Sequence, residues 1–119
     1  MTEIIAVSTI DGVHIVELTG VLNIKQKKVI EEQLEPLLAS EEVSKCIMDL
    51  TKLEWMDSSG LGVIVHCYNL MEGKHAPEGR KRSFVICGLG KNLKLAFKIA
   101  HLDRIFKVYK DRAEAMAAI

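Results

Sequence analysis

Asp57-Ser58-Ser59-Gly60-Leu61-Gly62 is the segment on which the architecture depends, because it joins an apolar strand to an apolar helix. The strand is Cys46-Ile47-Met48-Asp49-Leu50, which reaches this segment through a short connector, Thr51 to Met56. The apolar pattern that follows predicts a helix over residues 58–72. Asp57 and Ser58 are residue types that cap helix starts, and the two glycines remove side chains where a partner or an anion could approach. We therefore predict that Ser58 presents an accessible hydroxyl at the positive end of a rigid helix.

Two alternating segments at the N-terminus predict a β-hairpin. They cover residues 4–9 and 13–19, and Asp11-Gly12 between them suits a type I′ turn. Gly20-Val21-Leu22-Asn23 is expected to end the second strand. Asn23 is a residue type that caps the helix following it.

The first helix is predicted over Ile24 to Ser40. Charged residues oppose an apolar stripe that consists of Val29, Ile30, Leu34, Leu37 and Leu38. Pro36 lies inside this pattern, and an interior proline costs a helix about 3 kcal/mol. We therefore expect the helix to bend or restart near Glu35.

The second half of the chain alternates strands with helices. The apolar run Phe84 to Cys87 predicts a strand covered on both faces, and Gly88-Leu89-Gly90 ends it. A helix over 91–101 and a short extended piece over 105–109 follow. Asp111 then caps a last helix, with Glu114 at the spacing of a capping box.

Residues 73–83 are basic and have no periodicity, so they predict an exposed, mobile loop. Arg80-Lys81-Arg82 has two interpretations. It is either a docking patch for an acidic partner or part of a solvated loop that keeps a sheet edge soluble, and we favour the second.

This order of elements, β-β-α-β-α-β-α-(β)-α, predicts one α/β domain over residues 1–119. An antiparallel hairpin followed by alternating strands and helices implies a mixed sheet with parallel inner strands and about four helices. Partners of such sheets meet the edge formed by the carboxyl ends of the strands. The loops Gly20 to Asn23, Asp57 to Gly62 and Gly88 to Lys91 should converge there and form a binding surface.

The composition limits the possible partners. Sixteen basic and sixteen acidic residues cancel, so no global field favours nucleic acid or an anionic membrane. No apolar run reaches the roughly 18 residues of a membrane span, and Met1-Thr2-Glu3 opens no signal peptide, so we expect a cytoplasmic protein. The cysteines lie in apolar segments, which predicts buried free thiols rather than a disulfide or a metal site at Cys46, Cys67 and Cys87.

Patterns typical of catalysis are missing from the sequence. A hydrolase that used Ser58 would need a nearby base, but His66 lies two helical turns away and no Gly-x-Ser-x-Gly elbow is present. Asp49 ends a strand as an aspartyl-phosphate acceptor would, without the acidic pair that such a site needs. Gly88-Leu89-Gly90 lacks the third glycine of a dinucleotide motif, and the histidines show no metal-ligand spacing. We therefore expect no enzyme activity, no cofactor and no metal.

The sequence Asp49-Leu50-Thr51-x-Leu53-x-x-Met56-Asp57-Ser58-Ser59-Gly60-Leu61-Gly62 resembles the signature of bacterial anti-sigma factor antagonists, the STAS domains. Gly20-x-Leu22 and Leu102-Asp103-x-x-Phe106 are also similar to that family, so the resemblance covers nearly the whole chain. It implies the STAS fold and a protein that binds an anti-sigma factor kinase, a GHKL-type ATPase, and thereby frees a sigma factor.

The resemblance also implies a reversible modification and a set of contact residues. The kinase would phosphorylate Ser58, and a PP2C-type phosphatase would remove the phosphate. The implied partner-binding residues are Gly20, Leu22, Asn23, Asp57, Ser58, Ser59, Gly60, Leu61 and Gly62.

Two features depart from that family. Many members carry an acidic residue where Asn23 stands, and loop 73–83 is longer and more basic than the usual turn. One alternative is therefore a non-switching STAS scaffold subunit of a signalling or lipid-transport complex. Another is a small nucleotide-binding or hydrolysing domain. For any of these functions we expect a monomer or a weak dimer.

Overall fold

The structure is a computed structural model that describes residues 4–40, 42–73 and 81–119. These residues form two sheets and four α-helices, with one short 3-10 turn at Leu102–Arg104. In chain order the elements are β1 (Ile5–Ile10), β2 (Val13–Leu18), β3 (Gly20–Leu22), α1 (Ile24–Ala39), β4 (Lys45–Asp49), β5 (Leu53–Met56), α2 (Ser58–Met71), β6 (Ser83–Cys87), α3 (Lys91–Ile99), β7 (Lys107–Tyr109) and α4 (Arg112–Ala118).

The main sheet has the predicted mixed topology. β1 pairs antiparallel with β2, and both turn residues have positive φ angles, 50° at Asp11 and 78° at Gly12, as a type I′ turn requires. The strand order is β1-β2-β4-β6-β7, and every pair after the first is parallel. The predicted hairpin and parallel inner strands are therefore confirmed.

Helices cover both faces of this sheet. α1, α2 and α3 enclose the larger core, which includes Phe84 and Ile86 of β6. α4 covers a smaller core on the other face, where Val85 and Cys87 of the same strand point. The continuous apolar run of β6 is thus buried on both sides, as predicted. All three cysteines are buried and free, which confirms the prediction for them.

A second sheet of two short strands was not foreseen. The sequence predicts only a strand end and a connector where the structure has β3 and β5, which pair in parallel. Only Thr19 separates β3 from β2, and the pairing of β3 with β5 has a register shift between Gly20 and Val21. Strands of three and four residues give too little alternation to be recognised, so this prediction was wrong.

The first helix does not restart at Pro36. α1 is continuous through this proline, which lies close to the end of the helix, and the expected bend stays a prediction. The proline removes the donor to the carbonyl of Glu32, but Glu32 is exposed, so water can satisfy that carbonyl. Val29, expected in the buried stripe, is 48% exposed.

Arg82 is buried and does not belong to an exposed loop. Its guanidinium donates to backbone carbonyl oxygens near the ends of α1 and α2 and in the segment before β4, namely those of Leu38, Ser40, Val43 and Leu70. Because the last carbonyls of a helix lack helical donors, a buried cation is well placed there.

Neither interpretation of Arg80-Lys81-Arg82 is therefore right for Arg82, whereas Lys81 is exposed. Residues 74–80 of the predicted mobile loop lie outside the described residues. Across the part of the chain that is described, no helix combines the length and the apolar character that crossing a membrane requires.

Candidate functional site

Two helix starts lie side by side at the end of the β3–β5 pair. Leu22 is opposite Met56 in that pair, so the next residues, Asn23 and Asp57, follow equivalent positions of two parallel strands. Asn23 is the N-cap of α1 and Asp57 is the N-cap of α2. The N–H of Asp57 donates to the Leu22 carbonyl oxygen at 3.2 Å and thereby ties the two loops together.

Both helix starts are satisfied by their own side chains. Asp57 Oδ1 accepts from the N–H groups of Ser59 and Gly60 at 2.9 and 3.2 Å. Asn23 Oδ1 accepts from the N–H of Lys25 at 2.9 Å, and Gln26 completes a capping box on Asn23. These bonds hold the backbone of each loop in place before any partner binds.

Ser58 is the first residue of α2, and it is exposed. Its neighbour Ser59 is half-buried, so the first serine of the pair is the more accessible one. The residue that the sequence places at the start of this helix is therefore exposed to solvent, as predicted.

The two glycines after the serines have different roles. A Cβ on Gly60 would lie 2.8 Å from Met56 Cβ and 2.9 Å from the Leu22 carbonyl oxygen. Gly60 thus lets α2 approach the end of β3 closely. Gly62 is exposed, and a Cβ there would meet nothing within 4 Å.

The nine predicted partner-binding residues do not all reach the surface. Leu22 and Gly60 are buried, so they hold the site together and are too deep to contact a partner directly. Ser58 and Gly62 are exposed. The others are half-buried, namely Gly20, Asn23, Asp57, Ser59 and Leu61.

Exposed apolar side chains next to these loops were missed by the sequence analysis. Val21 and Trp55 are opposite each other in the β3–β5 pair, and they are 38% and 51% exposed. Ile24, directly after Asn23, is 71% exposed. We call Val21, Ile24 and Trp55 the apolar rim. The chain's single tryptophan was a usable signal, but its outward orientation follows only once β5 is known.

The third predicted loop, Gly88 to Lys91, is bonded to other parts of the chain than the first two loops. The N–H of Gly88 donates to the Tyr109 carbonyl oxygen at 3.2 Å, and Gly88 packs directly against Thr51. The end of β6 therefore closes on the connector after β4. The first two loops are tied to each other by the bond from Asp57 N–H to the Leu22 carbonyl oxygen, whereas the bond and close packing of Gly88 join it to Tyr109 and Thr51.

A second polar cluster links the ends of β2 and β4 to α4. Arg112 donates from Nε to Asp49 and from Nη2 to Glu17, at 2.9 Å each. Thr51 donates to the same Asp49 carboxylate from its hydroxyl at 2.6 Å and from its N–H at 3.0 Å. Burial raises the pKa of Asp49, but the hydrogen bonds from Thr51 and Arg112 outweigh burial and leave that pKa below its ordinary value. Asp49 is a structural anchor for α4.

His66 points toward α1 and away from the start of α2. Its Nε2 lies 3.7 Å from the Glu35 carboxylate on α1, which is too far for a hydrogen bond. The described residues contain no group of three or more His, Cys, Asp or Glu side chains that could hold a metal ion.

This chain belongs to the STAS domain family, whose model matches residues 5–115. The anti-sigma F factor antagonist of Paenibacillus polymyxa is 25% identical over 108 residues, which cover 91% of this chain and 87% of that relative. The resemblance found in the motif is thus confirmed over nearly the whole sequence.

Two solved structures share the fold. An anti-sigma factor antagonist from Mycobacterium paratuberculosis superposes with a TM-score of 0.81 at 20% identity, covering 97% of this chain and 92% of that one. The Bacillus cell fate determinant SpoIIAA in its phosphorylated form gives a TM-score of 0.69 at 16% identity, covering 96% and 97%. The predicted STAS-like sheet with four helices is confirmed.

Proposed function

We propose that this chain is an anti-sigma factor antagonist whose binding to an anti-sigma factor kinase is controlled by phosphorylation of Ser58. The exposed position of Ser58 at the first residue of α2, next to the apolar rim, carries the proposal. The antagonist relative and the solved phosphorylated form of SpoIIAA support it. The partners are a GHKL-type kinase and a PP2C-type phosphatase in the cytoplasm, and a sigma factor is released when the kinase is bound.

The apolar rim gives the unphosphorylated surface its affinity. Exposed aromatic and aliphatic side chains beside rigid loops are typical of the centre of an interface, where tryptophan is especially frequent. Trp55 is half-exposed and lies beside Val21 on a hydrogen-bonded strand pair, so it can be buried by a partner without reordering the backbone. Binding therefore has a low conformational cost on this side.

Phosphorylation acts on this surface through charge. A phosphoryl group would add about −1.5 to −2 charges at Ser58. The N–H groups of Ser59 and Gly60, which a phosphate could otherwise use, already donate to Asp57. The phosphate would thus lie beside a carboxylate and project outward, toward the partner.

A partner seated on the apolar rim would then have to bury this charge without a counter-ion. Such a penalty is about 2–5 kcal/mol, or a loss of roughly 30- to several-thousand-fold in affinity. Repulsion at the interface is sufficient, and the domain need not change its fold.

Asn23 modifies this arrangement. Its amide keeps the cap on α1, with the bond from Lys25 at 2.9 Å, and contributes no negative charge. A kinase for this chain must therefore recognise Ser58 without the acidic residue that many family members carry at the position of Asn23.

Binding of charge variants tests the proposal. The anti-sigma factors of the serine-kinase class from the same organism would be purified and titrated by calorimetry with the wild type, Ser58→Asp and Ser58→Asn. We expect one kinase to bind the wild type and Ser58→Asn similarly and Ser58→Asp at least about tenfold more weakly. The asparagine variant is the matched control, because it has the shape of aspartate without the charge.

Labelling gives a second readout. That kinase with ATP should phosphorylate the wild type and should not label Ser58→Ala. Equal affinity of the wild type and Ser58→Asp, together with no label, would contradict the switch and favour a non-switching STAS scaffold.

A further inference from the structure

In the described part of the chain, the outer strand of the main sheet has one unpaired side, and none of its own residues is charged. β1 is a terminal strand, and among the described strands it pairs only with β2. Its residues, Ile5-Ala6-Val7-Ser8-Thr9-Ile10, include no charge and no proline, and its register with β2 has no bulge. Edge strands usually carry such features because they prevent pairing with another chain. The backbone groups of β1 that point away from β2 are therefore available as a pairing template.

α1, whose buried residues share a core with β2, the neighbour of β1, also has a charge-free flank. One side of α1 faces α2, where Glu35 lies 3.7 Å from His66 Nε2. Helical spacing puts Gln26, Val29, Gln33 and Leu37 on the opposite side, although α1 carries both lysines and glutamates elsewhere. α2 leads from β5 to β6 and packs against α1, and β6 lies on the far side of β4 from β1, so the side of α1 away from α2 faces the β1 side of the sheet.

Apolar side chains are exposed on both elements. Val7 is opposite the buried Val16, so it lies on the face that α1 covers, yet it is 47% exposed. Val29 on the charge-free flank is 48% exposed. α1 leads from the β2–β3 segment to β4, which is parallel to β2, so α1 and β1 both run opposite to β2, and these two valines lie in the N-terminal halves of their elements.

We propose that this edge binds a second copy of the chain, with β1 antiparallel to β1 of the partner about a two-fold axis. Such an axis brings each side chain near its own copy, so any charge close to the axis would meet the same charge. The absence of charge from both β1 and the α1 flank fits a self-association surface. A charged protein partner would find no complementary group there.

The pairing has a defined register. With the axis at Val7, this side chain lies opposite its counterpart, and Ile5 lies opposite Thr9 of the second copy. The two sheets become one continuous sheet, and both α1 helices lie on the same face. Val7 and Val29 of each copy are then removed from water together.

Sedimentation velocity from micromolar to millimolar concentration tests this interface. We expect a monomer–dimer equilibrium for the wild type. Val7→Lys opposes two ammonium groups and should raise the dimer dissociation constant at least about tenfold. Val29→Lys, at an exposed helix position that tolerates lysine, should raise it in the same direction.

Two control variants separate this interface from other effects. Ile99→Lys introduces the same charge at a 71% exposed aliphatic residue on α3 and should leave the dissociation constant unchanged. Ser58→Asp should also leave it unchanged, so the outcome is independent of the proposed switch. A wild type that stays monomeric at millimolar concentration, or a dimer that neither lysine variant weakens, overturns the proposal.

Discussion

Replacing each of two glycines of α2 by alanine should change stability in opposite directions. Gly60 and Gly62 are two residues apart in the same helix, and both gain the same helix propensity on substitution, about 1 kcal/mol. Their surroundings differ. The new Cβ at Gly62 enters open space, whereas the new Cβ at Gly60 meets Met56 and Leu22 at 2.8–3.0 Å.

The contact at Gly60 is difficult to relieve. One of the neighbours is a backbone carbonyl oxygen of β3, and another is a Cβ atom, so neither can swing away as the end of a flexible side chain could. Overpacking of this kind costs about 3 kcal/mol at the upper end of its usual range. After the gain in propensity, Gly60→Ala should lose about 2 kcal/mol of unfolding free energy, while Gly62→Ala should gain about 0.5–1 kcal/mol.

Urea and thermal unfolding followed by circular dichroism measure both values. A domain of this size shifts its Tm by about 4 °C per kcal/mol, so we expect a fall of about 8 °C for Gly60→Ala and a rise of about 2–4 °C for Gly62→Ala. If the two variants were equally stable, the close approach of α2 to β3 would not be a constraint on the site, and the reasoning would be wrong.

Two further predictions concern buried charged groups. Arg82→Ala should cost about 3–5 kcal/mol in urea unfolding, because it leaves several buried carbonyl oxygens without their charged donor, whereas its exposed neighbour Lys81→Ala should change stability by less than about 0.5 kcal/mol. If Arg82→Ala lost less than about 1 kcal/mol of unfolding free energy, the hydrogen bonds from Arg82 to these carbonyl oxygens would not stabilise the fold as we infer. The second prediction concerns Asp49, whose pKa is lower in the folded protein than in the unfolded chain. The ionised carboxylate therefore stabilises the fold at pH values above the unfolded pKa of about 3.9, and this stabilisation is lost as the pH falls through the folded pKa. Asp49→Asn should therefore be less stable than the wild type at pH 7, and its unfolding free energy should fall less on acidification. If the unfolding free energies of the two proteins changed in parallel with pH, this prediction would be refuted.

What the sequence predicted well was local. Asp57 caps α2 through bonds to residues two and three positions away, and the Asp11-Gly12 turn sets its own hairpin. Side-chain chemistry over a few residues determines such features, so they can be recognised without knowing the fold. The exposed Ser58 hydroxyl followed from them.

What the sequence could not show depended on distant partners. The carbonyl oxygens that bind Arg82 are 12 to 44 residues away along the chain, so a basic run gave no sign of its burial. β3 and β5 are too short to show a period, and they are strands only because they pair with each other. Missing that pair also hid the outward faces of Val21 and Trp55.

The bond from Asp57 N–H to the Leu22 carbonyl has an evolutionary consequence. It fixes both loops from inside, through main-chain atoms, whereas Val21, Ile24 and Trp55 add little to that framework. Under the proposed function, exchange of these three outward side chains would change which partner a paralogue recognises, while the serine and its scaffold remain the same.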